Sequence, residues 1–538
     1  MTQRPMTGGQ AVVRSLLAHG VRDLFAVPGV QNDWLFNAIY DEGEPFDMYI
    51  ARHEQGAAYM ALGYAASTGR LGVLSVVPGP GLLNASAALA TAYSMCAPVL
   101  ALVGQIPGPL IDQGRGLLHE ITNQPATVSS MTRWMGRADE PDEVSQRIAA
   151  AIADTKTGDP RPAYLEIPPN VLRAETSAPL ADPLDVEHAV PDAEVVAEAA
   201  ALLASATSPM IIVGAGAIDA AADVVRLAET LQAPVVSHRS GRGVLPSEHP
   251  LSVSFPEGRT LWPDVDLLIS IGSRGLLPLT EWGANDQLKQ LWINADPDAA
   301  RRVSTPDVSI VARAQEALPA LLDALPALPA TNRLDITAVC EQHERAMATL
   351  EPQRSYLSAI ASAVGDSGFL VTDLTQVGYV SRMEFAVQQP RHYLYPGYMG
   401  TLGWGFATAL GVKVANPEVP VVAICGDGGF LFTANELATA VRYEIATVTV
   451  VFEDAKYGNV QLMQRDNYGG RVHATDLTNP DFVAFAESFG AHSERVDGPG
   501  ALQGRIEANL DRRGPTVLVV QQDDWPNPWP ILTNEPVS

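Results

Sequence analysis

The sequence predicts an α/β protein built from three doubly wound parallel-sheet domains, and three observations carry that reading. The chain has 538 residues, more than a single core normally serves. Its strand candidates are continuous apolar runs such as LGVLSVV, PMIIVGAGA and VVAICG, as expected of strands covered on both faces. Segments of helical length lie between these runs, and the alternation recurs in three blocks, 1–182, 183–350 and 351–538.

In the first block a helix over Gln10 to Ala18 stops at Gly20, and DLFAVPG follows as a strand. A second helix opens at Glu54, LGVLSVV is the next strand, a helix follows the PGPG turn, and PVLALVG is a further strand. The Pro- and Asp-rich stretch SAPLADPLDVEHAVPDAE reads as a linker. The middle block offers PMIIVGAGA, APVVSH, VDLLISIGS and QLWINAD as strands, with an Ala-rich helix between the first two, and ALPALLDALPALPATNRLD closes it. The third offers GFLVTD, the long helix TLGWGFATALGVKVAN, then VVAICGDGG, VTVVFED, the helix DFVAFAESFG and the strand TVLVVQQ.

A formal charge of −26, spread without a long acidic run, argues against nucleic acid and anionic membranes as partners. Cys96, Cys340 and Cys425 are far apart in apolar contexts, which predicts buried thiols in a reducing compartment. The N-terminus MTQRPMTGGQ lacks the apolar run of a signal peptide, and no stretch is long and apolar enough to span a bilayer. A cytoplasmic location is the expectation.

Chemistry concentrates at VVAICGDGGFLFTANELATAVRYEIATVTVVFEDAKYGNV. About two dozen residues separate Gly428 from Glu453-Asp454, enough for a βαβ crossover that returns both strand ends to one sheet edge. Asp427 and Asp454 then meet as hard oxygen donors suited to a divalent cation, and Gly426, Gly428 and Gly429 let backbone approach a phosphate. A helix after Gly429 would aim its positive end there. Alone, Gly-Asp-Gly is better read as a turn with surface acids.

This segment resembles the thiamine diphosphate (ThDP) signature, GDG followed by Asn-Asn. The chain is similar throughout to the acetolactate synthases and 2-oxo-acid decarboxylases. The resemblance implies a pyrimidine-binding, a central and a diphosphate-binding domain in that order. ARHEQGAAYMALGYAASTGRLGVLSVVPGPGLLNASAALATAY matches the family pattern RHEQ, GYA, GPG and Asn. It assigns Glu54 to proton transfer with the cofactor's aminopyrimidine, and Pro78, Gly81 and Asn84 to the turn facing the ring. An isolated Glu54 would be only a helix N-terminal charge, worth about a few tenths of a kcal/mol.

By the same resemblance Gly400 offers a carbonyl to the cofactor, Leu402 props its bent form, and Gln376 contacts the diphosphate. The His expected beside Gln376 is Val377. Mg2+ is held by Asp427, Asp454 and the Lys456 carbonyl, with Tyr457, Gly458 and Asn459 around the cofactor. Gln105 and His119 are the catalytic candidates on the substrate side, and Gln31, Gln461 and Met463 line the pocket. His119 is equally readable as a solvent-facing loop histidine. Met463 stands where acetolactate synthases have a tryptophan that sorts acceptors, and Val77 where benzoylformate decarboxylase has a working histidine.

The middle domain resembles one that binds a non-redox FAD. Arg274 matches, but SFPEGRTLWPD replaces the associated Gly-Met-His-Gly stretch, so FAD is not expected. The implied activity is acetolactate-synthase-like carboligation of a 2-oxo acid with a carbonyl acceptor, with 2-oxo-acid decarboxylation the alternative. The implied assembly is a homodimer at the minimum, with a homotetramer the expectation. A reading of another class, a non-catalytic protein that keeps the ThDP fold, draws on Glu453-Asp454 replacing Asn-Asn.

Overall fold

A computed structural model of the protein describes residues 5–283, 288–327 and 332–533. Residues 1–4 of the N-terminus and 328–331 of the segment that closes the middle block lie outside them. Three six-stranded sheets, all parallel, are laid along the chain.

The first sheet comprises β1 (Asp23–Ala26), β2 (Asp47–Ile50), β3 (Gly72–Val76), β4 (Val99–Gly104), β5 (Trp134–Arg137) and β6 (Ala163–Ile167), in the order β2-β1-β3-β4-β6-β5. The middle sheet comprises β7 (Pro209–Val213), β8 (Val235–Ser237), β9 (Ser252–Val253), β10 (Leu267–Ile271), β11 (Lys289–Asn294) and β12 (Val308–Val311), in the order β9-β8-β7-β10-β11-β12. The third comprises β13 (Phe369–Thr372), β14 (Tyr393–Leu394), β15 (Val421–Gly426), β16 (Val448–Glu453), β17 (His492–Arg495) and β18 (Thr516–Gln521), in the order β14-β13-β15-β16-β18-β17. The first and third sheets thus share one topology; the middle one is different. Between the first two sheets, residues 177–192 form neither helix nor strand, as the composition predicts for a linker.

The central strands are buried along nearly their whole length, which matches their unbroken apolar sequences. Each sheet reverses its winding next to its first strand: between β1 and β3, between β7 and β10, and between β13 and β15. The strands diverge beyond their carboxyl ends at such a point and leave a crevice. Residues 27–31 and 77–79 form the first crevice, and residues 373–376 and 426–429 form the third.

The first and third domains share one apolar core, including Tyr59, Met60, Phe406, Leu410 and Phe430. Helix Glu54–Thr68 lies against helix Trp404–Ala415 with their backbones in contact. A Cβ on Gly411 would stand 1.9 Å from Met60 O, and one on Gly63 2.1 Å from Thr408 O, so the crossing requires both glycines. The middle sheet has its own core around Ile211, Leu227, Ile269 and Leu318.

Several elements depart from the sequence reading. Helix Asp33–Asp41, β2 and β5 were not anticipated, because DMYI and WMGR are short, half-buried strands without an apolar run. The helix expected after Gly429 is broken: one turn, Asp427–Phe430, precedes a separate helix, Leu437–Arg442. Paired glycines and the β-leaning FLFT sequence make continuous helix unfavourable there. Cys425 is buried, whereas Cys96 and Cys340 are only partly so. Among the described residues no helix is long and apolar enough to cross a membrane.

Candidate active site

The crevice of the third sheet holds the Asp427 turn. Asp427 is 2 % exposed, and every partner of its carboxylate is a nitrogen. Oδ1 accepts from Gly428 N (2.7 Å); Oδ2 accepts from Ala455 N (2.7 Å), Asp454 N (3.2 Å) and Asn479 Nδ2 (2.8 Å). The end of β16 is thereby tied to the end of β15. Asp454 accepts from Lys456 N (3.2 Å) and Gln522 Nε2 (3.3 Å). Burial, then the neighbouring charge of Asp427, pushes its carboxyl up to about 6, with Lys456 opposing.

A carboxylate whose proton affinity is raised by burial and by a neighbouring carboxylate is relieved by a cation, so this donor set fits a divalent metal. Among the described residues no three His, Cys, Asp or Glu side chains converge as a metal cage, so further ligands would come from backbone and phosphate oxygens. Gln376 leads the helix after β13, and its buried Oε1 has no partner. Tyr457 lies against Gly428, and Gly458 against Asp454, where a Cβ would be 2.6 Å from Oδ2. Lys456 Nζ pairs with Asp524 at 3.1 Å.

Several amides of the following helix, Gly458–Asn467, are engaged within the protein. Asn459 Oδ1 accepts from Trp529 Nε1 (2.6 Å), while Gln461 donates to Thr475 Oγ1 (3.1 Å) and Asp476 (3.2 Å). Met463 is half-buried on that helix. Gly400 and Leu402 flank Thr401, which Tyr59 OH (2.7 Å) and Thr91 Oγ1 (3.1 Å) anchor from the first domain. Leu402 itself is 39 % exposed.

The first sheet's crevice is lined by amides instead of acids. Glu54 is the first residue of its helix, and its Oε2 accepts from Asn84 Nδ2 at 2.9 Å. Pro80 and Gly81 open the helix that carries Asn84. Gly79 before them has φ +56, and a Cβ there would lie 2.4 Å from His119 O. Pro78 packs against Gly104.

His119 is itself left-handed, φ 68, and its Nδ1 lies 3.0 Å from Gln31 Oε1. Gln31 Nε2 donates to Leu118 O at 3.0 Å, which fixes the orientation of that amide. An acceptor therefore faces His119 Nδ1, so the ring proton sits on Nδ1 and Nε2 remains a free base when the ring is neutral. Gln105 is turned inward. Its Nε2 donates to buried Glu166 (3.0 Å) and its Oε1 accepts from Ile106 N (2.7 Å).

Several supporting residues escaped the sequence reading. Glu436, fully buried, accepts from Arg52 N (3.1 Å) and His53 N (2.9 Å), so the third domain caps the Glu54 helix. Gln124 links Gly79 N (2.9 Å) to Glu166 (3.0 Å). Asp373, beneath the Asp427 turn, accepts from Gly405 N (3.0 Å), and burial raises its carboxyl to about 7. A lone acid inside an apolar stretch such as NELATAV was the one available signal for Glu436. Nothing comparable marked Gln124. The crest of the middle sheet opens into cavities of about 440 and 700 Å³, lined by Ala215, Gly272, Asn294 and, in the larger, Arg239 and Arg274.

Three family models match this chain. Residues 6–127 match the thiamine pyrophosphate enzyme N-terminal TPP binding domain, residues 196–321 the central domain, and residues 373–520 the C-terminal TPP binding domain. A Pseudomonas aeruginosa protein named "Probable 2-ketoarginine decarboxylase" is 31% identical over 543 residues, covering 96% of this chain and 94% of that protein. A "Probable acetolactate synthase large subunit" of Methanocaldococcus jannaschii is 30% identical over 558 residues, covering 96% and 92%. An acetolactate synthase of Arthrospira platensis is also 30% identical, covering 96% and 94%.

Proposed function

Because the chain belongs to the thiamine pyrophosphate enzyme family, within its acetolactate synthase and decarboxylase group, we propose that it is a ThDP- and Mg2+-dependent carboligase of acetolactate-synthase type. It takes a 2-oxo acid as donor and a second carbonyl compound as acceptor. The observation that carries the reading is the pairing of two equivalent crevices in one chain. One presents Glu54 with Asn84, the other Asp427 with Asp454.

In this reading Asp427, Asp454 and the Lys456 carbonyl hold Mg2+, while Gly426, Gly428, Gly429 and Gln376 receive the diphosphate. Tyr457, Gly458 and Asn459 close that side, and the Gly400–Leu402 loop faces the ring. When bound, ThDP supplies a carbon acid that adds to a carbonyl and takes up the electron pair as carbon dioxide leaves. Glu54 holds the proton exchanged with the aminopyrimidine, and Asn84 keeps its carboxylate aimed. His119 Nε2 accepts or returns a proton on the substrate side. Gln31 orients that ring, Gln105 braces the wall from inside, and Met463 and Gln461 bound the acceptor space.

Apolar side chains around both crevices are exposed in the single chain, among them Leu83, Leu118, Leu402, Leu431 and Phe432. A second copy would cover them and bring the two half-sites together, so the reading requires a homodimer and allows a homotetramer. The middle domain is read as working without FAD, since Phe255 and its helix Phe255–Leu261 replace the flavin-associated stretch. Purified protein should then show no flavin absorbance.

A second reading, simple 2-oxo-acid decarboxylation, draws support from Met463 and from the decarboxylase relative. The two separate in one assay. Wild type and Glu54→Gln are supplied with ThDP, Mg2+ and a panel of 2-oxo acids, and carbon dioxide and products are quantified. Carboligation yields a hydroxy-keto acid from two carbonyl compounds, whereas decarboxylation yields an aldehyde. Equal inertness of both proteins across the panel, with ThDP bound, would defeat both readings.

A further inference from the structure

The family pattern has Asn-Asn where this chain has Glu453-Asp454, which places two extra negative charges beside an anionic diphosphate. The structure shows what surrounds the first of them. Glu453 is 9% exposed, and its Oε2 pairs with Arg495 Nη1 at 2.8 Å. Arg495 stands at the end of the edge strand β17 and reaches across β18. The other oxygen, Oε1, lies 3.4 Å from Asn479 Nδ2, the nitrogen that also donates to Asp427 Oδ2 at 2.8 Å. One amide group thus touches both carboxylates.

Asn479 is delivered there by a segment clamped to the Asp454 loop. Tyr457 N donates to Thr475 O and Leu477 N to Ala455 O, both at 2.8 Å, so that the backbones of Lys456 and Asp476 pair in a short antiparallel bridge. Asn479 Oδ1 is buried without a partner. An amide is therefore present beside Asp427, but it comes from a different part of the chain than the pattern provides.

We propose that Arg495 and Asn479 are positioning residues of the metal–diphosphate site: the guanidinium cancels the charge of Glu453, and the amide holds Asp427 in place. The proposal rests on reading Asp427-Asp454 as that site. Its physical content is a difference in sign. With Arg495 neutralised, the uncancelled Glu453 charge repels the diphosphate while favouring a bare cation. General damage to the fold weakens both. Arg495 is 46% exposed, so the effect is screened and amounts to about fivefold in affinity.

The test is calorimetry on the full-length protein with two probes, Mn2+ alone and ThDP at saturating Mg2+. Arg495→Met is expected to weaken ThDP about fivefold while Mn2+ binds equally or more tightly. Adding Glu453→Gln to that variant should bring ThDP affinity back to within about twofold of wild type, well inside the span of a lost charge pair. Arg495→Lys keeps the charge and should stay near wild type, which covers a Met variant that fails to fold. Asn479→Ala is expected to weaken both probes, because Asp427 loses a donor. Unchanged ThDP affinity in Arg495→Met overturns the proposal, as does loss of both probes without recovery by Glu453→Gln. Failure of wild type to bind ThDP overturns the site reading itself, a separate outcome.

Discussion

The first and third sheets have the same strand order and the same crevice between their first and third strands, yet they load it with different chemistry. The first crevice is fitted with amides: Asn84 on the Glu54 carboxylate, Gln31 on His119, and Gln124 between Gly79 N and the buried Glu166. The third brings Asp427 and Asp454 together at its strand ends, with Asp373 buried beneath the turn. Topology decides where a pocket opens, and side chains decide what it holds. Amides orient a lone acid without changing its charge. Clustered acids call for a cation. On the proposed reading the first domain moves a proton and the third holds charge.

The sharpest way to break that division is Glu54→Gln. If the first crevice serves proton transfer, turnover should fall about 100- to 1,000-fold, within the range of general acid–base catalysis. ThDP affinity, governed by the third crevice, should change by no more than a few-fold. Single-turnover carbon dioxide release and calorimetry on the same preparation check both halves. Equal loss of binding and turnover would mean that the two crevices do not divide the work.

How much of this was legible beforehand depended on distance along the chain. The three-block architecture showed in the sequence because buried parallel strands write continuous apolar runs, as in PMIIVGAGA and VVAICG. Half-buried strands such as DMYI write no such run, and they were missed. Glu54, Asn84 and Asp427 were singled out because each sits in a local motif. Gln124, Glu436, Asn479 and Arg495 were not, since each reaches its partner through tertiary packing. Glu436 meets Arg52 and His53 from a part of the chain almost four hundred residues away, 384 from Arg52. No window of sequence contains that contact. Gln105 shows the converse: its motif marked it for the substrate side, while the fold spends its amide on Glu166.

Asp373→Asn probes the charge-holding side by pH. Burial raises the Asp373 carboxyl from 3.8 to about 7, with the Gly405 N–H only partly opposing. A folded-state value above the unfolded one means that the folded protein binds the extra proton between these limits. The stability it contributes is complete below about pH 4 and lost as pH rises through about 7. The neutral Asn variant pays no such penalty. It should therefore gain on wild type progressively from pH 5 to pH 8, by up to a few kcal/mol. Urea unfolding at both pH values measures the gain, and parallel curves at every pH would show that Asp373 is not held protonated by its surroundings.

The smallest expected effect is the most specific, because Asp454→Asn makes the third crevice a little more like the first. It keeps an oxygen at the same place and removes one charge, so coordination survives while the attraction for a cation weakens. Lys456 N donates to Oδ1 and Gln522 Nε2 to Oδ2, so the single Asn carbonyl oxygen keeps one of these two contacts and the other is lost. The Mg2+ concentration for half-maximal activity should rise about tenfold, near 1.4 kcal/mol, while turnover at saturating Mg2+ stays within a few-fold. Mn2+ titration without ThDP should show the same shift. If instead both titrations superimpose on wild type, Asp454 is not a ligand. The cation would then be held by Asp427 with backbone alone, and the charge-collecting role assigned to the third crevice would rest on one acid.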